Sequence, residues 1–140
     1  MRNLSEAELK EISENGLMGM LSFVHKITLE IEAYPDSNHI LDFDDSDEIW
    51  QELKEKLDQN IEDYIRVCPM MSYESFKIME DFVEIVDDKT LHIKLRQALE
   101  RRKPFHNFKL LIDNFRYRDD WFKFEMEEAK KYVRKQLLLT

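Results

Sequence analysis

Apolar residues in this chain change their spacing about halfway along. Over residues 16–34 they alternate, with Leu21 and Phe23, then Leu29, Ile31 and Ala33, set against Ser22, Glu30 and Glu32, the period of half-buried strands. Two short strands are predicted, joined by the polar turn His25-Lys26-Ile27-Thr28. No Gly or Asn-Gly pair marks a tight primed turn there, and Pro35-Asp36-Ser37-Asn38 breaks the pattern. Residues 63–70 alternate loosely about Tyr64, Ile65 and Val67 and run into Pro69, which suits a third or edge strand. Whether it joins the sheet of the hairpin is left open by the pattern.

Elsewhere the spacing is helical. Ser5 and Glu8 form a capping box that opens a short polar helix. A second helix starts from Asp45 as N-cap with Glu48 three residues on; it carries Trp50, Leu53 and Leu57 on one stripe and ends near Asn60. Ser72 opens a third, with Phe76, Met79, Val83 and Val86 inward, and Asp87-Asp88 closes it or caps the next, marked by Leu91, Leu95, Ala98 and Leu99. The residue before a proline is pushed out of helical geometry, so Pro104 sets a boundary, and Phe105, Phe108, Leu111, Ile112 and Phe115 begin a new stripe. Asp119 or Asp120 caps the last helix, whose inner face is read as Phe122, Met126, Ala129, Val133 and Leu137. The expected fold is α+β: one domain over residues 1–140, with a small antiparallel sheet from the N-terminal half packed with a C-terminal layer of about four helices. Residues 1–70 supply the hairpin, acidic loop, helix and strand, and 71–140 are helical.

A chain of 140 residues with 43% hydrophobic residues, 2 Gly and 3 Pro is neither disordered nor of low complexity. Charged residues make up 36%, and no apolar run is long enough to cross a bilayer, so no membrane association is expected. The first ten residues lack a basic region followed by an apolar one, and a cytoplasmic location is the expectation. The single cysteine, Cys68, lies in an apolar stretch next to Pro69 and reads as a structural thiol.

The net charge of -9 argues against attraction of the whole surface to nucleic acid. The charge is segregated, however. Residues 1–60 hold five basic and fifteen acidic side chains. Residues 89–118 hold Lys89, Lys94, Arg96, Arg101, Arg102, Lys103, Lys109, Arg116 and Arg118 against only Glu100 and Asp113. With Phe105, Phe108, Phe115, Tyr117 and Trp121 interleaved, this stretch suggests a nucleic-acid or anion surface, in which cations follow phosphates and rings stack on bases. The competing reading is a helical core with cations paired to the acidic half; for Lys109, next to Phe108, a local ion pair is the favoured role.

Other chemistry finds little support. Asp42, Asp44, Asp45, Asp47 and Glu48 evoke a calcium loop, but Asp47 stands where glycine is needed and Leu53 where glutamate is. His25, His39, His92 and His106 have no metal-ligand spacing and read as surface or edge residues. No phosphate loop or nucleophile elbow occurs, and adjacent carboxylates such as Glu80 and Asp81 face different directions on a helix. No catalytic, metal or cofactor residue is assigned, and no cofactor is expected.

The pattern Ala98-Leu99, Pro104-Phe105, Phe108-Lys109, Asp113-Asn114 and Trp121-Phe122-x-Phe124 resembles a bacterial uncharacterised protein family, UPF0158. Phe76, Met79-Glu80-Asp81-Phe82 and Val83 are similar to its preceding helix, and residues 20–35 to its N-terminal hairpin. Two loops depart from the family pattern: Arg101-Arg102-Lys103-Pro104 stands where many members carry glycine, and Leu29 where a Thr-Gly pair is common. The resemblance implies a fold and no activity. The expected function is therefore a non-catalytic interaction domain with an unknown protein partner. Arg96, Arg101, Arg102, Lys103, Lys109, Arg116 and Arg118 form its candidate surface, and Trp121 or Trp50 is the anchor wherever either is exposed. Nucleic-acid or anion binding through residues 94–118 is the alternative, an enzyme of unrecognised type the third reading, and head-to-tail self-association is open.

Overall fold

The computed structural model describes residues 4–37, 39 and 47–138. Helices α1 (Glu6–Leu17), α2 (Glu48–Gln59), α3 (Ser72–Ile85), α4 (Lys89–Glu100), α5 (Pro104–Asn114) and α6 (Arg118–Leu138) accompany strands β1 (Met20–His25), β2 (Ile31–Pro35) and β3 (Tyr64–Val67). The fold is α+β. The chain divides into two compact units, Met1–Met70 with Ala129–Thr140, and Met71–Glu128.

The first unit holds the sheet, in the order β2-β1-β3 and antiparallel throughout. β1 pairs with both neighbours, Phe23 opposite Glu32 and Arg66, so the third strand shares the sheet of the hairpin. The capping box forms as read from the sequence: Glu8 N–H donates to Ser5 Oγ at 3.1 Å and Ser5 N–H to Glu8 Oε1 at 2.8 Å. The helix it opens is not merely polar, because Leu9 and Ile12 are buried in a cluster with Val24, Leu29, Val67 and Val133. Gly19, at φ 80°, turns the chain from α1 into β1 in a conformation open to glycine without strain.

Ser22, read from alternation as outward, is 1% exposed. Its hydroxyl accepts from Asn15 Nδ2 at 3.1 Å, which makes burial tolerable. Leu29 precedes β2, at 2% exposure, and has φ 61°. Such a conformation costs a non-glycine residue about 1–3 kcal/mol, and the buried side chain offsets it. The N-cap of α2 is two residues later than expected: it is Asp47, accepting from Ile49 N–H at 2.9 Å. Asp42, Asp44 and Asp45 of the acidic loop lie outside the described residues.

The second unit is helical, with α3 packed on α4 and α4 on α5. Asp88 caps α4, accepting from Leu91 N–H at 3.0 Å, and Pro104 occupies the first turn of α5, where a missing N–H costs nothing. Ser72 is the first residue of α3 rather than its cap, a position held by Met71. Asp119 and Asp120 lie inside the first turn of α6, where they complement the helix dipole without capping it. Lys103 before α5 has φ 55°. Leu29 and Lys103 thus both stand in left-handed geometry.

Candidate interaction surface

The inner row of α6 differs from the sequence reading. Trp121, Ala129 and Val133 are buried, whereas Phe122 is 48% exposed. Two adjacent aromatics cannot both face inward on a helix, and the larger ring took the core. Trp121 is 3% exposed and packs T-shaped on Phe108 and Phe82, with centroids 4.9 and 5.3 Å away. It is a core residue of the second unit and not a surface anchor. Trp50 is half-buried and meets Tyr34 edge to face at 5.8 Å.

Arg96, Arg101, Arg102, Lys103, Lys109, Arg116 and Arg118 are all exposed. Three of them, Arg101 to Lys103, occupy the turn between α4 and α5. Lys94 lies 5.5 Å from the centre of the Phe115 ring, which brings the middle of α4 to the end of α5. Arg118 sits over Phe122 at 5.3 Å and pairs with Asp113 at 3.7 Å. At 1.5 Å per helical residue, the cations are spread along about 15 Å of the α4–α5 hairpin. Among the described residues, Arg96, Arg101, Arg102, Lys103, Lys109 and Arg116 form no ion pair with a carboxylate within 4.0 Å.

Lys109 does act electrostatically. Glu125 is half-buried on the Trp121–Ala129 row, and desolvation pushes its carboxyl above the usual range while the Lys109 charge pulls it down. Ala129 and Val133 face inward as read, but taking Phe122 and Met126 as the preceding inner positions leaves Glu125 outside the row. The aromatic part of the candidate surface is already engaged. Phe105 packs on Phe76, Phe108 on Phe82 and Trp121, and Phe115 and Phe122 lie beneath cations. Tyr117 is half-buried. Few rings are left with a free face for a base.

In the first unit, Ile12, Gly16, Val67, Cys68, Pro69 and Tyr132 line an apolar concavity in which only about 10 Å³ can hold the centre of a water molecule. That is space for one water, not for a substrate. The Gln136 amide accepts from Cys68 N–H at 3.0 Å and donates to its carbonyl at 2.9 Å, continuing strand-like pairing past the end of β3. Among the described residues no three His, Cys, Asp or Glu side chains gather as metal ligands, and no helix is long and apolar enough to cross a membrane.

The class defined by these features is an α+β protein with a short antiparallel sheet and a cation-rich helical hairpin. Residues 16–138 match the model of the Uncharacterised protein family (UPF0158), and the chain belongs to that family. It is 28% identical over 83 residues, 59% of this chain, to "UPF0158 protein PA5073" of Pseudomonas aeruginosa. The match spans about half, 54%, of that relative's length. No solved structure matches.

Proposed function

We propose that this is a non-catalytic cytoplasmic interaction protein whose α4–α5 hairpin docks an acidic segment of a partner protein. One observation carries the reading: Arg96, Arg101, Arg102 and Lys103 are exposed and have no carboxylate within 4.0 Å among the described residues, while the neighbouring rings are engaged in packing. Cations without stacking platforms favour a carboxylate-rich ligand over a single-stranded nucleic acid, which draws much of its affinity from stacked bases. Exposed charges of this kind govern encounter rate and salt dependence more than final affinity.

The test is fluorescence anisotropy with labelled poly-glutamate, DNA and RNA of matched charge at two salt concentrations. An Arg101→Glu/Arg102→Glu/Lys103→Glu variant runs in parallel. The expected result is salt-sensitive poly-glutamate binding that the variant loses, with nucleic acids bound no tighter. Tighter binding of DNA or RNA, lost in the variant, would overturn the reading and make the hairpin a phosphate-binding surface. Sedimentation of the protein alone at low salt separates both from head-to-tail self-association.

A further inference from the structure

The β1–β2 turn is closed by a histidine ring. His25 Nδ1 accepts from the backbone N–H of Ile27 at 3.1 Å and of Thr28 at 3.2 Å. A ring nitrogen that accepts these amide protons cannot carry one of its own. The His25 backbone closes the same turn: its carbonyl accepts from Leu29 N–H at 3.0 Å and its N–H donates to the Glu30 carbonyl at 2.9 Å. Leu29 is thereby held with positive φ and its side chain in the core, while Ile27 at the tip is 81% exposed. The ring itself is oriented by an edge-to-face contact with Tyr64, centroids 5.2 Å apart.

We propose that His25 is a pH-sensitive clasp: the neutral ring caps the turn and seats Leu29, and protonation at Nδ1 releases Ile27 and Thr28 and loosens the hairpin tip. The ionisable neighbours are Lys26 and Glu30 on the hairpin, Asp63 and Tyr64 at the start of β3, and Lys56 of α2, which bonds Glu32 at 3.1 Å. Lys26 opposes an imidazolium, and Glu30 and Asp63 attract one. Among the described residues no carboxylate is hydrogen-bonded to the ring, so no contact replaces the two that protonation removes. Protonation at Nδ1 and acceptance of the two amide protons exclude one another, so the clasp is present with the neutral ring and absent with the protonated one. His39 is placed differently: its two nitrogens face Asp36 Oδ2 at 3.0 Å and the Met70 carbonyl at 2.9 Å, both acceptors. The clasp does not depend on what the basic hairpin binds.

The experiment follows backbone amide resonances of the whole protein from pH 8 to pH 5, in a His39→Gln background that removes the histidine bonded to Asp36 and Met70. The Ile27 and Thr28 amides are expected to shift together with protonation of the His25 ring. His25→Asn supplies a non-titrating side-chain acceptor at the same place, so those shifts disappear. The pH 8 to pH 5 ratio of folding equilibrium constants then falls about tenfold below that of the parent, the net worth of about two neutral hydrogen bonds. Titration of the ring without movement of the two amides overturns the clasp and needs no variant at position 25. An unchanged pH dependence of stability in His25→Asn overturns it equally.

Discussion

The two units are held together by different kinds of side chain. Around the sheet of the first, the core is aliphatic, and directional bonds complete it: Ser13 Oγ to the Leu9 carbonyl, Asn15 to Ser22, Gln136 to Cys68, and the His25 ring in its turn. The second is organised by Phe82, Phe108, Trp121 and Phe124, whose rings meet at tilted or edge-to-face angles. Burial of large rings is large per residue, and their edge-to-face preference helps to orient the helices that carry them, beside bonds such as that of the His92 ring to the Val83 carbonyl at 2.8 Å. On the surface of the second unit, Arg96, Arg101, Arg102 and Lys103 have no carboxylate within 4.0 Å among the described residues, whereas the polar groups just named in the first unit are hydrogen-bonded within it.

That contrast can be broken at several points. Phe108→Ala should be the most damaging change, because it empties a fully buried ring site; a loss of about 3–5 kcal/mol in urea unfolding is expected. Gln136→Ala should cost about 1–2 kcal/mol by the same measurement, since both bonds to Cys68 disappear. Gln136→Glu keeps the acceptor and loses the donor, and should fall between. Lys103→Gly should stabilise by about 0.5–1 kcal/mol, as glycine relieves the left-handed strain at some entropic cost. Arg101→Glu with Arg102→Glu should leave stability within about 0.5 kcal/mol of the parent while abolishing poly-glutamate binding; a larger stability loss would mean that these cations serve the fold.

The smallest effect concerns Glu125. Burial raises its carboxyl in the folded state, so folding is opposed by the ionised form. The parent should lose stability relative to Glu125→Gln as pH rises through the carboxylate range, and the two should converge in acid. Comparison of urea midpoints at pH 4 and pH 7 measures this. Absence of any difference would mean that Lys109 fully balances the desolvation.

The elements themselves were legible because each rests on short-range chemistry. The Ser5–Glu8 box, the Asp88 cap, the Pro104 boundary and the pairing of β1 with β2 involve residues close in the chain, and each forms where its residues stand. The basic hairpin was equally visible, since clustered cations need no partner to be recognised. Faces were read less well. Phe122 and Trp121 are one residue apart, and the periodicity could not choose between them; packing on Phe82 and Phe108 did. Ser22 was read outward by polarity alone, without the Asn15 amide that satisfies it seven residues earlier.

By itself, then, the sequence determined the class of fold, most of the helix boundaries and the basic character of α4–α5, all set by local propensity, capping and charge. Tertiary structure decided that β1 is central, that Trp121 is core, that Glu125 is desolvated and that Arg96, Arg101, Arg102 and Lys103 have no carboxylate within 4.0 Å among the described residues. Each of these depends on which distant side chains come within a few ångströms, and burial, ring stacking and desolvation take effect only at that range.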